Sequence, residues 1–133
     1  MNILFIDDEP QEVYVDELTL AGHNVAFRQY VEEGMAHFDA HAEELDVLIV
    51  DIMMPPRSMF EGVNTDLGLR TGIRFLERIR EKSDIPVVLL THVARSRIAR
   101  DLEANPRCKY LNKEDTLPGE LSDLITRFIQ RGL

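Results

Sequence analysis

Three short runs without a polar residue, Ile3-Leu4-Phe5-Ile6, Val47-Leu48-Ile49-Val50 and Val87-Val88-Leu89-Leu90, constrain this chain more than any other feature. They do not alternate and are rich in β-branched residues, so each predicts a strand buried on both faces, the habit of parallel sheets. Two weaker runs, Val25-Ala26-Phe27 and Tyr110-Leu111, suit the edges of the same sheet. Parallel neighbours need crossovers, and helical patterns fill every interval.

A first helix is expected from Pro10, with Val13, Leu18 and Leu20 as its apolar residues and Gly22 as its stop. A second covers Val31 to Ala40, with Met35 and Phe38 inward, and a third runs from near Gly72 through Phe75, Leu76 and Ile79 to Lys82. The fourth spans about Ala94 to Ala104 and is closed by Asn105-Pro106. In the last, Leu121, Leu124, Ile125, Phe128 and Ile129 form one stripe at helical spacing. Strand and helix alternate five times, which predicts an α/β fold with a doubly wound, five-stranded parallel sheet. The most hydrophobic strands are the first, third and fourth, the inner strands of the order 2-1-3-4-5, the flavodoxin-like (βα)5 arrangement. The 133 residues read as one domain, 1–133, with an extended loop at about 55–71 where periodicity fails.

The polar residues at the strand ends carry the chemistry. The first strand ends in Asp7-Asp8, the third in Asp51 and the fourth in Thr91, and Lys113 lies near the end of the fifth. In an open α/β sheet the C-terminal strand ends line the ligand crevice, so these five residues are expected to converge on one pocket. Three carboxylates brought together must take up protons or share a cation. Mg²⁺ suits them, since it uses few carboxylates along with waters and phosphate oxygens. A lysine and a hydroxyl beside it suit the remaining phosphate oxygens. The set describes phosphoryl transfer onto an aspartate.

At these residues the sequence resembles the receiver domains of two-component response regulators. The matching pieces are Asp7-Asp8, Asp51 followed by Met53-Met54-Pro55, Thr91, and Tyr110 three positions before Lys113. The resemblance covers essentially the whole chain and implies that Asp51 accepts a phosphoryl group from a histidine kinase or phosphotransfer protein. It implies Mg²⁺ held by Asp8, Asp51 and the backbone carbonyl of Met53, with Asp7 acting mainly through a metal-bound water. Lys113 and the Thr91 hydroxyl would bond phosphoryl oxygens, and Tyr110 would follow Thr91 inward. The face formed by the fourth helix, fifth strand and fifth helix would then meet a downstream protein partner. On this reading the chain is a phosphorylation-activated signalling module, and no enzyme beyond its own phosphorylation and dephosphorylation.

Composition narrows the setting. A hydrophobic share of 44 % with 29 % charged residues fits a globular protein and not a disordered tail. A net charge of −9 argues against direct nucleic-acid binding, which needs Lys and Arg against phosphates. The apolar runs fall far short of the roughly 20 residues that cross a bilayer. With no basic leader region and only Cys108, a small residue expected to be buried in a strand, a cytoplasmic location is expected. The last helix closes at Gly132-Leu133, leaving no room within these residues for a DNA-binding module, and two readings stand open: a receiver without an output domain, or one excised from a longer protein.

Each piece taken singly has a plainer reading. Asp7-Asp8 could cap a helix, Asp51 a turn, Thr91 could be structural and Lys113 solvated, and only together do they outweigh those readings. His37 and His41, four apart, read as exposed histidines because no third metal ligand follows at suitable spacing. Arg95, Arg97 and Arg100 form a basic stretch, a solvated face or a contact for an acidic partner. Three departures from the receiver pattern stand out. Glu114 occupies the place of the usual proline after the lysine, so a trans link and a different loop are expected. His92 follows Thr91 where a small residue is usual, its ring either narrowing the pocket or rotating to solvent. The segment 57–70 is long and carries Met59, Phe60, Val63, Leu67 and Leu69, either folding over the pocket or serving a homodimer contact. Two alternatives remain: a pseudo-receiver that binds partners without phosphorylation, and a phosphatase of the haloacid-dehalogenase type, disfavoured because the acids are adjacent and not spaced as Asp-x-Asp.

Overall fold

The computed structural model describes residues 1–132. Five parallel strands, β1 (Asn2–Ile6), β2 (Asn24–Arg28), β3 (Val47–Val50), β4 (Val87–Thr91) and β5 (Cys108–Asn112), lie in the order β2-β1-β3-β4-β5. Between and after them run α1 (Glu12–Leu20), α2 (Val31–His41), α3 (Thr71–Arg80), α4 (Ala99–Ala104) and α5 (Leu121–Arg131). The continuous apolar runs are the three inner strands, buried on both faces, and β2 and β5 are half-buried edges.

Alternation of side chains divides the core in two. Leu4, Ile6, Leu48, Val50, Val87 and Leu89 face α2 and α3, meeting Phe38, Ile73, Phe75 and Leu76. Ile3, Phe5, Val47, Ile49, Val88 and Leu90 face α1 and α5, meeting Leu18, Leu121, Ile125 and Phe128. The register places the last residues of neighbouring strands side by side: Ile6 opposite Val50 and Thr91 opposite Asn112. The polar residues that follow β1 and β3 therefore emerge together at one rim.

Three local expectations are corrected. In α1 the inward residues are Tyr14 and Leu18, whereas Val13 and Leu20 are 62 % and 80 % exposed. The helix starts two positions after Pro10, at Glu12 following Gln11. The fourth helix is not continuous: a 3-10 turn at Arg95–Arg97 precedes the six-residue α4, with Ile98 buried between them. Cys108 is half-buried at the start of β5, and burial pushes its thiol up to about 12.

The 57–70 segment is ordered. It holds a 3-10 turn at Ser58–Phe60 with Phe60 in the core, and a turn in which Asp66, Leu67 and Gly68 all have positive φ. Two non-glycine residues in succession at φ 54° and 57° are unusual, since the left-handed region crowds Cβ against the following carbonyl. The backbone around them is tied down by Met54 N–H to Gly68 O (3.1 Å) and Arg70 N–H to Thr65 O (2.9 Å). An Arg70–Asp101 ion pair at 2.7 Å joins the end of the loop to α4.

Candidate functional site

Asp7 follows β1 with its side chain fully buried, held by an Asx turn in which Glu9 N–H donates to Oδ1 at 3.0 Å. Asp51 follows β3, where its Oδ1 accepts from Ile52 N–H at 2.7 Å. The Lys113 ammonium reaches across from the β5 end and bonds both acids, Asp7 Oδ2 at 2.7 Å and Asp51 Oδ2 at 3.1 Å. Asp8 completes the group: carboxylate oxygens of Asp7, Asp8 and Asp51 all lie within 4.8 Å of one another.

The charge balance is lopsided, with three carboxylates around one ammonium. Burial raises the pKa of Asp7 from 3.8 to about 6, with the charge of Asp51 adding to the rise and Lys113 opposing it. Asp8 is also raised, first by burial and then by Asp51. For Lys113, burial disfavours the ammonium, but its bonds and charges with Asp7 and Asp51 prevail and the pKa rises. The lysine is held charged while the acids are in excess, an arrangement that a bound cation would relieve.

These groups open onto a pocket of about 520 Å³. Asp8, Asp51, Thr91 and Lys113 line it, and so do Met53 and His92. Thr91 is buried at the end of β4, its Oγ1 accepting from Val93 N–H at 3.2 Å. The sequence places these residues together, with one exception: Tyr110 lies on the neighbouring α4–β5 groove, its hydroxyl donating to Val93 O at 2.5 Å. The peptide bond between Lys113 and Glu114 is trans, as is every other among the described residues. His92 and Glu114, the two departures beside the pocket, face each other across 3.8 Å with both side chains largely exposed. Leu67, Gly68 and Leu69 form the outer wall, so the long segment borders the pocket.

Sequence reasoning missed two supports. The Tyr14 hydroxyl donates to Thr116 O at 2.6 Å, with Lys113 O at 3.3 Å, pinning the turn that carries the lysine against α1. Gly72 packs on the backbone that follows β3: its N–H bonds Ile52 O at 2.8 Å, and a Cβ there would overlap the Asp51 carbonyl. A glycine opening a helix was the available signal for Gly72. None pointed to Tyr14, an ordinary aromatic on an amphipathic helix.

No protein-family model matches the chain. It is 30 % identical over 92 residues to the probable transcriptional regulator ycf27 of Cyanidium caldarium, covering 68 % of this chain and 31 % of that protein. It is 27 % identical over 129 residues to the heme response regulator HssR of Staphylococcus saprophyticus, covering 93 % of this chain and 48 % of the other. The chain thus spans a third to a half of the length of these curated relatives. Its fold is similar to that of the Vibrio cholerae chemotaxis protein CheY4, with a TM-score of 0.73 at 23 % identity over 95 % of this chain and 96 % of that one.

Proposed function

We propose that this chain, a response-regulator receiver domain by its fold and its relatives, is a phosphorylation switch whose acceptor is Asp51. The carrying observation is that Asp51 lies in one cluster with two further carboxylates and bonds the only lysine that reaches them among the described residues. The curated relatives include a protein named as a response regulator, in keeping with that chemistry.

Asp8, Asp51 and the carbonyl of Met53 would hold Mg²⁺, with Asp7 bonding a water of its shell. The fit rests on the clustered carboxylates and on the burial, with the charge of Asp51 second, that raises the pKa values of Asp7 and Asp8. When bound, the ion supplies positive charge to phosphoryl oxygens. An Asp51 carboxylate oxygen forms the new bond to phosphorus as the bond to the donor's imidazole nitrogen breaks; that nitrogen keeps the electron pair, and the ring, protonated on its other nitrogen, leaves as neutral imidazole. Lys113 turns its ammonium to a phosphoryl oxygen and Thr91 donates its hydroxyl to another. The donor is a phosphohistidine on a kinase or phosphotransfer protein.

Phosphorylation adds about −1.5 to −2 charge and three strong acceptors, enough to bias two conformers a few kcal/mol apart. Thr91, Val93 and Tyr110 are already linked by hydrogen bonds, so a pull on Thr91 reaches the α4–β5–α5 face. There Arg95, Arg97 and Arg100 are exposed, a surface for a downstream protein with acidic residues. Incubation with Mg²⁺ and acetyl phosphate should add one phosphoryl group by intact mass, and Asp51→Asn should remove the gain. No gain in the wild-type chain, with no response to beryllofluoride, would favour a phosphorylation-independent interaction module.

A further inference from the structure

The turn after β5 contains a donor that a proline would not bring. Because Glu114 follows Lys113 through a trans link, its backbone N–H needs an acceptor, and Asn112 Oδ1 takes it at 2.8 Å in an Asx turn. The other end of the same amide, Asn112 Nδ2, donates to the Tyr110 hydroxyl oxygen at 3.0 Å. The polarity of this chain is fixed throughout. A backbone N–H can only donate, so Oδ1 faces Glu114 and the NH₂ group must face Tyr110. The tyrosine oxygen accepts that bond and spends its own hydrogen on Val93 O at 2.5 Å. Val93 N–H in turn donates to Thr91 Oγ1 at 3.2 Å, and Lys113 N–H to Thr91 O at 2.9 Å, which closes the circuit.

We propose that Asn112 is a positioning residue that couples the Lys113 turn to the Tyr110 hydroxyl, so that the two respond to the phosphoryl group as one unit. The proposal rests on the receiver reading above and adds a second route to Tyr110, through the Asn112 side chain and not through the Thr91 hydroxyl. Lys113 is bonded to Asp51, and it leaves that bond when a phosphoryl oxygen offers a better partner. The turn that carries it then shifts, and Asn112 transmits the shift because its two ends are held by the turn and by the tyrosine. Asn112 itself is not among the residues that line the pocket. A shorter side chain separates the two halves: Ser can still accept the Glu114 N–H, but does not span to the tyrosine.

The test is an amide NMR titration of the ¹⁵N-labelled full chain with Mg²⁺ and beryllofluoride, comparing wild type, Asn112→Ser and Tyr110→Phe. In the wild type the resonances near Asp51, the Val93 amide and the Asn112 side-chain NH₂ should all move together. Asn112→Ser should saturate at a similar beryllofluoride concentration, with the shift at Val93 cut to about half or less. In Tyr110→Phe the Asn112 NH₂ signal should lose most of its response, a readout that stands even if the serine variant does not fold. A wild-type-sized Val93 response in Asn112→Ser, or an unchanged Asn112 NH₂ response in Tyr110→Phe, would overturn the proposal alone. A wild-type chain silent at Asp51 would overturn the receiver reading and this proposal with it.

Discussion

Asp7→Asn should change how stability depends on pH in the metal-free protein, and the size of the change follows from the site. The Asp7 carboxyl holds its proton in the folded chain up to about pH 6, whereas its ordinary value is 3.8. A raised folded-state pKa means stability that is fully present below pH 3.8 and lost as pH climbs through 6. At about 1.4 kcal/mol per pKa unit the loss approaches 3 kcal/mol, or about 10 °C in melting temperature for a domain of this size. Asn cannot titrate and is spared it. The substitution also turns an amide donor toward either Lys113 or the Glu9 N–H, both of which now donate to Asp7, and that cost is independent of pH. The predicted quantity is therefore the change with pH of the difference between the two proteins, not its absolute value. Urea unfolding in the presence of chelator at several values from pH 4 to 7.5 measures it. The wild type should fall relative to Asp7→Asn by about 2–3 kcal/mol across that window, and Mg²⁺ should recover more of the loss in the wild type. Parallel profiles, or a wild type that gains on the variant with rising pH, would refute the electrostatic account of the pocket.

Other substitutions test separate parts. Lys113→Ala leaves buried Asp7 and Asp51 without their ammonium and should cost about 3 kcal/mol at pH 8, shrinking toward pH 4 as Asp7 takes up its proton. Gly72→Ala drives a methyl into the Asp51 backbone and should cost at least about 2 kcal/mol in urea unfolding while weakening Mg²⁺ affinity by calorimetry. Leu67→Gly should stabilise by about 0.5–1 kcal/mol, since Leu67 is fully exposed at φ 57° and gains nothing from burial there.

The sheet was legible because buried parallel strands carry their signature locally: four apolar residues in a row have no partner but a core on each side. From that, strand order and the convergence of Asp7, Asp8, Asp51 and Lys113 followed, since topology alone puts strand ends at one rim. Helix phase was less legible. Val13, Tyr14 and Val15 are apolar in succession, so spacing alone does not say which of Val13 or Tyr14 points inward. The interruption at Arg95–Arg97 was hidden because a polar 3-10 turn and a polar helical turn read alike. The 57–70 segment showed only that it was too apolar to be solvated. Its positive-φ turn depends on bonds to Met54 and Thr65, which no local pattern announces. Asn112 escaped for the same reason, because an Asx turn and its tyrosine partner exist only once β5 is placed.

The most direct measurement traps the modified residue itself. After treatment with Mg²⁺ and acetyl phosphate, borohydride reduces an aspartyl phosphate to homoserine, and peptide mass spectrometry locates it. Homoserine should be found at position 51 and nowhere else. Reduction at Asp7 or Asp8 with Asp51 intact, or an unmodified chain under conditions that label other receivers, would contradict the assignment.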